Sequence, residues 1–217
     1  IGTNALAVQD AGADAYNIAI GHNAGLAIST GTSNVLIGGA AGTALTDGAN
    51  NIAIGRAALD TEDSGSNNIA IGYSALGTLN AGTAYNVAIG HNAGTAMTTG
   101  FNNTLIGGQA GYSLLGATDN VLVGTFCGDN LTTGIRNVAV GTNALTGEDA
   151  HGYNVAVGHG ALQIQNAGVN AYNTAVGYEA GNQITTGVQN VLIGGLAGDA
   201  LTSGNQNIAI GYQALGT

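Results

Sequence analysis

The sequence predicts an all-β fold, a parallel β-solenoid (a β-roll or β-helix) of about thirteen coils, and three observations carry that expectation. Asn17, Asn34, Asn51, Asn68, Asn86, Asn103, Asn120, Asn137, Asn154, Asn173, Asn190 and Asn207 each open one phrase: an aliphatic residue or Thr, then Ala or Leu, then Ile or Val, then Gly. The steps between successive asparagines are 17, 17, 17, 18, 17, 17, 17, 17, 19, 17 and 17 residues, and Ile1 and Gly2 read as the end of a further copy. A nearly constant period this short is too small for a helical hairpin and suits one turn of a solenoid. Each phrase also has strand chemistry, with β-branched residues at alternate positions between two turn-formers. Residues 1–217 are thus expected to form a single continuous repeat array.

Within a coil the strand comes first. Ile18 and Ile20 share one face, and Ala19 lies on the other, followed in later coils by Leu36, Ala53, Ala70, Ala88, Leu105, Leu122, Ala139, Ala156, Ala175, Leu192 and Ala209. A strand apolar on both faces needs cover on both. The Ile face is expected to close the coil's own core, and the Ala/Leu column to be covered either by a second layer of the same chain or, as the favoured reading, by identical chains, since an apolar stripe along a rod exceeds what monomers usually expose. Next, an apolar residue recurs seven positions after the strand glycine as Ile28, Leu45, Leu79, Met97, Leu114, Leu131, Ile184 and Leu201, the expected facing wall of a thin core. A Thr/Ser/Asp pair and a glycine then turn the chain back at Gly31, Gly48, Gly65, Gly82, Gly100, Gly134, Gly187 and Gly204, where glycine is expected for positive φ. Coils stacked at about 4.8 Å place the asparagines in a column, where their amides can form a structural ladder. On this reading Ile20→Asp buries a charge in the core, and Asn103→Ala costs on the order of 1 kcal/mol because water can replace the amide at the corner.

Composition narrows the function classes. Arg56 and Arg136 are the sole strong bases, charged residues are 6%, and the formal net charge is −10, so the chain lacks the clustered Lys and Arg that nucleic acid or an anionic membrane surface requires. No apolar run approaches the roughly 20 residues of a spanning helix, so no membrane insertion is expected. Gly is 39 of 217 residues and Pro is absent, without the strict Gly period of collagen. Cys127, the single cysteine, excludes an internal disulfide and stands where the other coils carry Ala, which reads as a small buried side chain. Ile1 and Thr217 both fall inside repeat phrases, so the chain reads as an internal segment of a longer protein.

A longer repeat rides on the short one. Related phrases precede Tyr16, Tyr85 and Tyr172, namely Ala11-Gly12-Ala13-Asp14-Ala15, Ala81-Gly82-Thr83-Ala84 and Ala167-Gly168-Val169-Asn170-Ala171. A coil beginning at His22, His91 or Tyr178 follows, then one with paired glycines at Gly38, Gly107 or Gly194. Blocks of four or five coils have been duplicated, which suits an elongated part.

Candidate chemistry is sparse, and no enzyme activity or cofactor is expected. His22, His91 and His159 recur at one phase, but copies four coils apart lie on the order of 20 Å from one another and cannot share an ion; they read as exposed corners. Asp60, Glu62 and Asp63 cluster at one corner, as Glu148 and Asp149 do five coils on, and hard oxygen ligands this close are weak candidates for Ca²⁺. Gly38, Gly39 and Gly42 lack the Lys of a phosphate loop. Thr98-Thr99, Thr132-Thr133 and Thr185-Thr186 raise an ice-binding alternative, and Tyr16, Tyr73, Tyr85, Tyr112, Tyr153, Tyr172, Tyr178 and Tyr212 a glycan-binding one.

The run from Asn86 to Gly100, Asn-Val-Ala-Ile-Gly followed by Ala-Gly and Thr-Thr-Gly, resembles two related families. One is the β-solenoid repeat found upstream of the self-cleaving, endosialidase-type chaperone domain in phage tail fibres. The other is the left-handed β-roll head of trimeric autotransporter adhesins. The resemblance spans the whole chain. It implies an extracellular fibre on a cell surface or virion, a homo-oligomer with a trimer favoured over a filament, and a surface facing a glycan or other receptor. No catalytic residue carries over, because the matched positions are Asn, Gly and core aliphatics.

Overall fold

A computed structural model of the protein describes residues 1–12 and 14–216; Ala13, in the phrase before Tyr16, and Thr217 lie outside the described residues. Twelve strands of three residues each follow one another: β1 Ile18–Ile20, β2 Val35–Ile37, β3 Ile52–Ile54, β4 Ile69–Ile71, β5 Val87–Ile89, β6 Thr104–Ile106, β7 Val121–Val123, β8 Val138–Val140, β9 Val155–Val157, β10 Thr174–Val176, β11 Val191–Ile193 and β12 Ile208–Ile210. They form one parallel sheet in sequence order. Register runs from each phrase to the next, Ile18 opposite Val35 and Ile69 opposite Val87, so the longer steps never shift a side chain to the other face. Twelve strands bound about eleven turns, fewer than the thirteen coils expected. The opening Ile1-Gly2 phrase forms no strand and joins the stack through the Ile1 ammonium donating to the Ala19 carbonyl at 2.6 Å and Gly21 N–H donating to Ile1 O at 2.7 Å.

The sides of the coil that are not strand are stacked turns whose backbone groups also pair with the next coil, as in Gly25 N–H to Ala41 O at 2.9 Å and Ala27 N–H to Thr43 O at 3.1 Å. Parallel pairing therefore runs along more than one side of the rod, which is how so short a strand satisfies its backbone.

The two faces of the strand are the reverse of the expectation. The middle residue points inward: Leu36, Ala53, Ala70, Ala88, Leu105, Leu122, Ala139, Ala156, Ala175 and Leu192 are fully buried by the chain's own second wall. The flanking β-branched residues point outward, with Ile18 51%, Ile20 42%, Ile106 37% and Val121 38% exposed. A coil of about 17 residues has too little interior for two Ile per rung, so the small or unbranched residue goes in and the β-branched pair, which suits an extended backbone, goes out. The Ala/Leu column needs no second chain.

Inside, the strand's middle residue is matched to the residue four positions after the strand glycine. Where the strand carries Leu36, Leu105, Leu122 or Leu192, that position is Gly42, Gly111, Gly128 or Gly198; where it carries Leu59, Leu76, Leu145 or Leu162, the strand has Ala53, Ala70, Ala139 or Ala156. Sterics enforce the match. A Cβ at Gly42 would stand 2.9 Å from Leu36 Cδ2, and one at Gly128 2.9 Å from Leu122 Cδ1. Coils with Ala19, Ala88 or Ala175 and Gly25, Gly94 or Gly181 are filled from the next coil, since a Cβ at Gly94 would meet Leu105 Cδ1 at 2.6 Å. The long repeat of four or five coils is thus a packing pattern: one leucine fills the space left by two glycines. Leu59, Leu76, Leu145 and Leu162 hold φ of 51, 48, 55 and 49°, and burying the side chain, about 1.5–3 kcal/mol, offsets a left-handed backbone costing roughly 1–2 kcal/mol.

Gly82, at φ 69°, is the corner glycine that meets the positive-φ expectation; most of the others serve a different need. Gly31, Gly48, Gly100 and Gly187 are not in the positive-φ region. A Cβ at Gly31 would instead lie 2.5 Å from Gly48 O, so these four corners are glycine because successive coils touch there backbone to backbone.

Candidate functional site

Twelve outward pairs of side chains form a continuous strip along the sheet. Every flanking position of β1 to β12 is Ile, Val or Thr, with Thr at Thr104 and Thr174 alone, and no charged residue interrupts the strip. Eleven spacings of about 4.8 Å give a band roughly 50 Å long. Interior members shield one another along the column and are no more than 40% exposed, whereas at the open end Ile208 and Ile210 reach 72% and 67%.

The asparagine column lies at the start of the strand and is buried: Asn34 to Asn190 are 0–1% exposed. Each Asn Oδ1 accepts the backbone N–H of the next Asn, as Asn86 Oδ1 does from Asn103 at 3.0 Å, and Asn103 Nδ2 donates to Asn86 Oδ1 at 3.1 Å and to Ala117 O at 2.8 Å. One side chain thereby serves the next strand's first N–H and a corner carbonyl together. The expectation that water could replace the amide fails, because water does not reach it. In most coils Nδ2 also donates to the carbonyl fourteen residues on, as Asn17 does to Gly31 at 2.7 Å and Asn173 to Gly187 at 2.7 Å. Asn68 and Asn154 differ. Both open the longer steps, where the added residues move the corner carbonyl; Asn68 Nδ2 turns to Ser66 O at 3.3 Å, and Asn154 Nδ2 has no partner.

Two corners carry carboxylates where other coils have an aliphatic wall residue. Seven positions after the strand glycine stand Glu62, Glu148 and Gln165, in the same inward column as Leu45, Leu79 and Leu131, and all three are 0% exposed. Glu62 is held by backbone: Oε1 accepts Gly65 N–H at 2.7 Å and Oε2 accepts Ala81 N–H at 3.2 Å. Burial pushes its carboxyl above the usual range against these bonds. Asp60 is half-buried and Asp63 exposed, its Oδ1 accepting the Ser64 hydroxyl at 3.1 Å. Among the described residues the potential metal ligands that converge within 4.8 Å are Glu148, Asp149 and His151, not Asp60, Glu62 and Asp63. His151 and Gln165 were not singled out by the sequence reading. The signal that finds Gln165 and Glu148 is the polar residue at an otherwise aliphatic phase.

Three aromatic pairs stack between neighbouring coils at two corners. Arg56 lies over the Tyr73 ring at 5.7 Å and Tyr73 stacks on His91 at 5.3 Å, while His159 stacks on Tyr178 at 5.5 Å. On the second corner Asp119, Arg136, Tyr153 and Tyr172 form a run, with Arg136 Nη1 donating to Tyr153 Oη at 2.7 Å and the two tyrosine rings 4.9 Å apart. His22, His91 and His159 are exposed corner residues. Cys127 is buried, its thiol donating to Ala139 O at 3.2 Å, and burial pushes the thiol up to about 12. The described surface has no concave pocket.

Comparison with known proteins finds no matching family model, no matching curated protein and no matching solved structure. Fold and surfaces together define a parallel β-solenoid repeat protein with a period of about 17 residues.

Proposed function

We propose that this chain is a structural segment of an extracellular fibre, of the phage tail-fibre or bacterial surface-adhesin kind, and that copies of it meet through the outward Ile/Val strip. The observation that carries the reading is the strip itself: twelve rungs of paired β-branched residues, without charge, on a rod whose own core is already closed. Burying such a band against an identical one removes apolar surface at about 25 cal/mol per Å² and needs no induced change, because rungs at one spacing fit rungs at the same spacing. The resemblance of the Asn86–Gly100 phrase favours three copies around an axis. Variable corner residues then face outward along the shaft, where the tyrosine columns offer stacking surfaces to a glycan or protein receptor on a cell or virion.

Light scattering tests the assembly. The protein is expected to give a mass near three chains, and the double variant Ile89→Asp/Ile106→Asp the mass of one with unchanged circular dichroism. A wild-type monomer at micromolar concentration would overturn the reading. The same strip supports a second reading, an ice-binding face, because its β-branched rungs are regularly spaced. Thermal hysteresis from the monomeric wild type, lost on Ile106→Asp, would favour that alternative.

A further inference from the structure

We propose that Glu148, Asp149 and His151 form a binding site for one divalent ion of the zinc type, with the amide oxygen of Gln165 from the next coil completing the donor set. Three of these groups are brought together on one corner: their ligand atoms lie within 4.8 Å of one another, with His151 Nδ1 3.4 Å from Glu148 Oε1 and 3.9 Å from Asp149 Oδ1. An ion with bonds of about 2.0–2.1 Å in tetrahedral geometry holds its ligands roughly 3.3 Å apart, so little movement closes the set.

A second, separate observation points the same way. Gln165 is fully buried and neither its Oε1 nor its Nε2 has a partner, although it occupies the inward column one coil after Glu148. Glu148 Oε2 is also without a partner, and His151 Nδ1 has no well-aligned hydrogen bond beyond its 3.4 Å approach to Glu148 Oε1. Buried polar groups left this way cost about 1–3 kcal/mol each, and so many in two adjacent coils call for a ligand. The Glu62 corner shows what an ion-free arrangement looks like. There the buried carboxylate keeps the same turn bond, Glu62 Oε1 to Gly65 N–H as Glu148 Oε1 to His151 N–H at 3.1 Å, but its other oxygen takes Ala81 N–H and the column neighbour is Leu79. At the second corner a histidine replaces the glycine, a glutamine replaces the leucine, and the backbone donor is missing.

Donor chemistry selects the ion. Imidazole nitrogen beside two carboxylates suits zinc and its first-row neighbours and disfavours Ca²⁺ and Mg²⁺, which take oxygen ligands. Asp149, with its side chain 53% exposed, leaves a route from solvent. The site is independent of how copies assemble, since the outward strip contributes none of its residues.

Calorimetric titration of the full chain with Zn²⁺, and of Co²⁺ followed by its visible absorption, tests the proposal. One ion per chain is expected, and Co²⁺ should give the intense bands of four-coordination. Glu148→Leu restores the residue that Leu131 and Leu114 supply in the same column, so it should fold and lose stoichiometric binding. His151→Ala, at a partly exposed corner, should weaken binding at least about tenfold, and Gln165→Leu about tenfold. Glu62→Leu should leave binding unchanged. Absence of stoichiometric binding, equal affinity in His151→Ala and wild type, or the weak bands of six-coordinate Co²⁺ would overturn the assignment.

Discussion

The inner and outer positions of the same three-residue strand follow different rules. Inside, the residue is Ala in some coils and Leu in others, and each choice is answered either four positions after the strand glycine or by the leucine of the next coil, because the interior has a fixed volume and close packing tolerates neither void nor overlap. Outside, the residue is Ile, Val or Thr in all twelve strands, with no compensating partner in the coil. Variation with compensation marks a core, whereas uniformity on an exposed face marks a surface whose neighbour lies outside the chain. The inner rule accounts for the fold, and the outer one supports the proposed assembly.

The largest way to break that comparison is a charge on either side of it. Leu122→Asp puts a carboxylate in a fully buried column with no Lys in the chain to pair with it, and should cost more than about 5 kcal/mol, unfolding its own and adjacent coils while distant coils stay ordered. Val121→Asp, one residue away and 38% exposed, should cost the monomer about 1 kcal/mol or less. Hydrogen exchange resolves both, and equal loss of protection from the two variants would break the distinction.

Next comes the compensation itself. Leu105→Ala leaves the space beside Gly94 and Gly111 empty and should cost about 3–5 kcal/mol in chemical denaturation. Adding Gly111→Leu converts the coil to the Ala53/Leu59 pattern and should recover at least half of that loss, although Leu at 111 alone is destabilising. Additive costs in the double variant would mean the matching has no packing origin. Asn103→Ala should follow at about 2–3 kcal/mol, since it strands the buried Ala117 carbonyl and the N–H of Asn120.

Smallest is a pH effect. Burial raises the Glu62 and Glu148 carboxyls above the unfolded value of 4.5, with backbone and His151 contacts opposing the shift. The folded state then holds protons that the unfolded state releases, so the contribution of these two groups to stability is fully present below about pH 4.5 and is lost as pH rises from there through the folded values. In metal-free buffer Glu62→Gln/Glu148→Gln should flatten that decline in melting temperature; an unchanged slope would assign it elsewhere.

Much of the fold was legible because the signal is periodic. Twelve asparagines at nearly one spacing, and a strand phrase between turn-formers, define a parallel solenoid without further information. Which face was inside was not legible from alternation, since Ile18-Ala19-Ile20 is apolar on both sides and hydrophobicity alone favours putting isoleucine in the core. Volume decides it, and the Leu/Gly pairing that reveals the volume spans positions seldom compared, such as Leu36 with Gly42. The metal-ligand corner was half legible: Glu148 and Asp149 stand out as charges in a nearly uncharged chain, but Gln165 becomes informative only as the polar member of an aliphatic column.

Thiol reactivity at neighbouring positions tests the orientation of the strand and its outward partner together. In a Cys127→Ala background, which restores the residue of the other coils, Leu122→Cys and Val121→Cys place one thiol on each face. In dilute, unassembled protein the thiol at 121 is expected to react with a maleimide at close to the rate of a free thiol and to become protected as chains associate. The thiol at 122 is expected to stay unreactive until the coil unfolds. Fast labelling at 122 with protection at 121 in the monomer would contradict the inside-out arrangement, and undiminished labelling at 121 in the assembled protein would contradict the role of the Ile/Val strip.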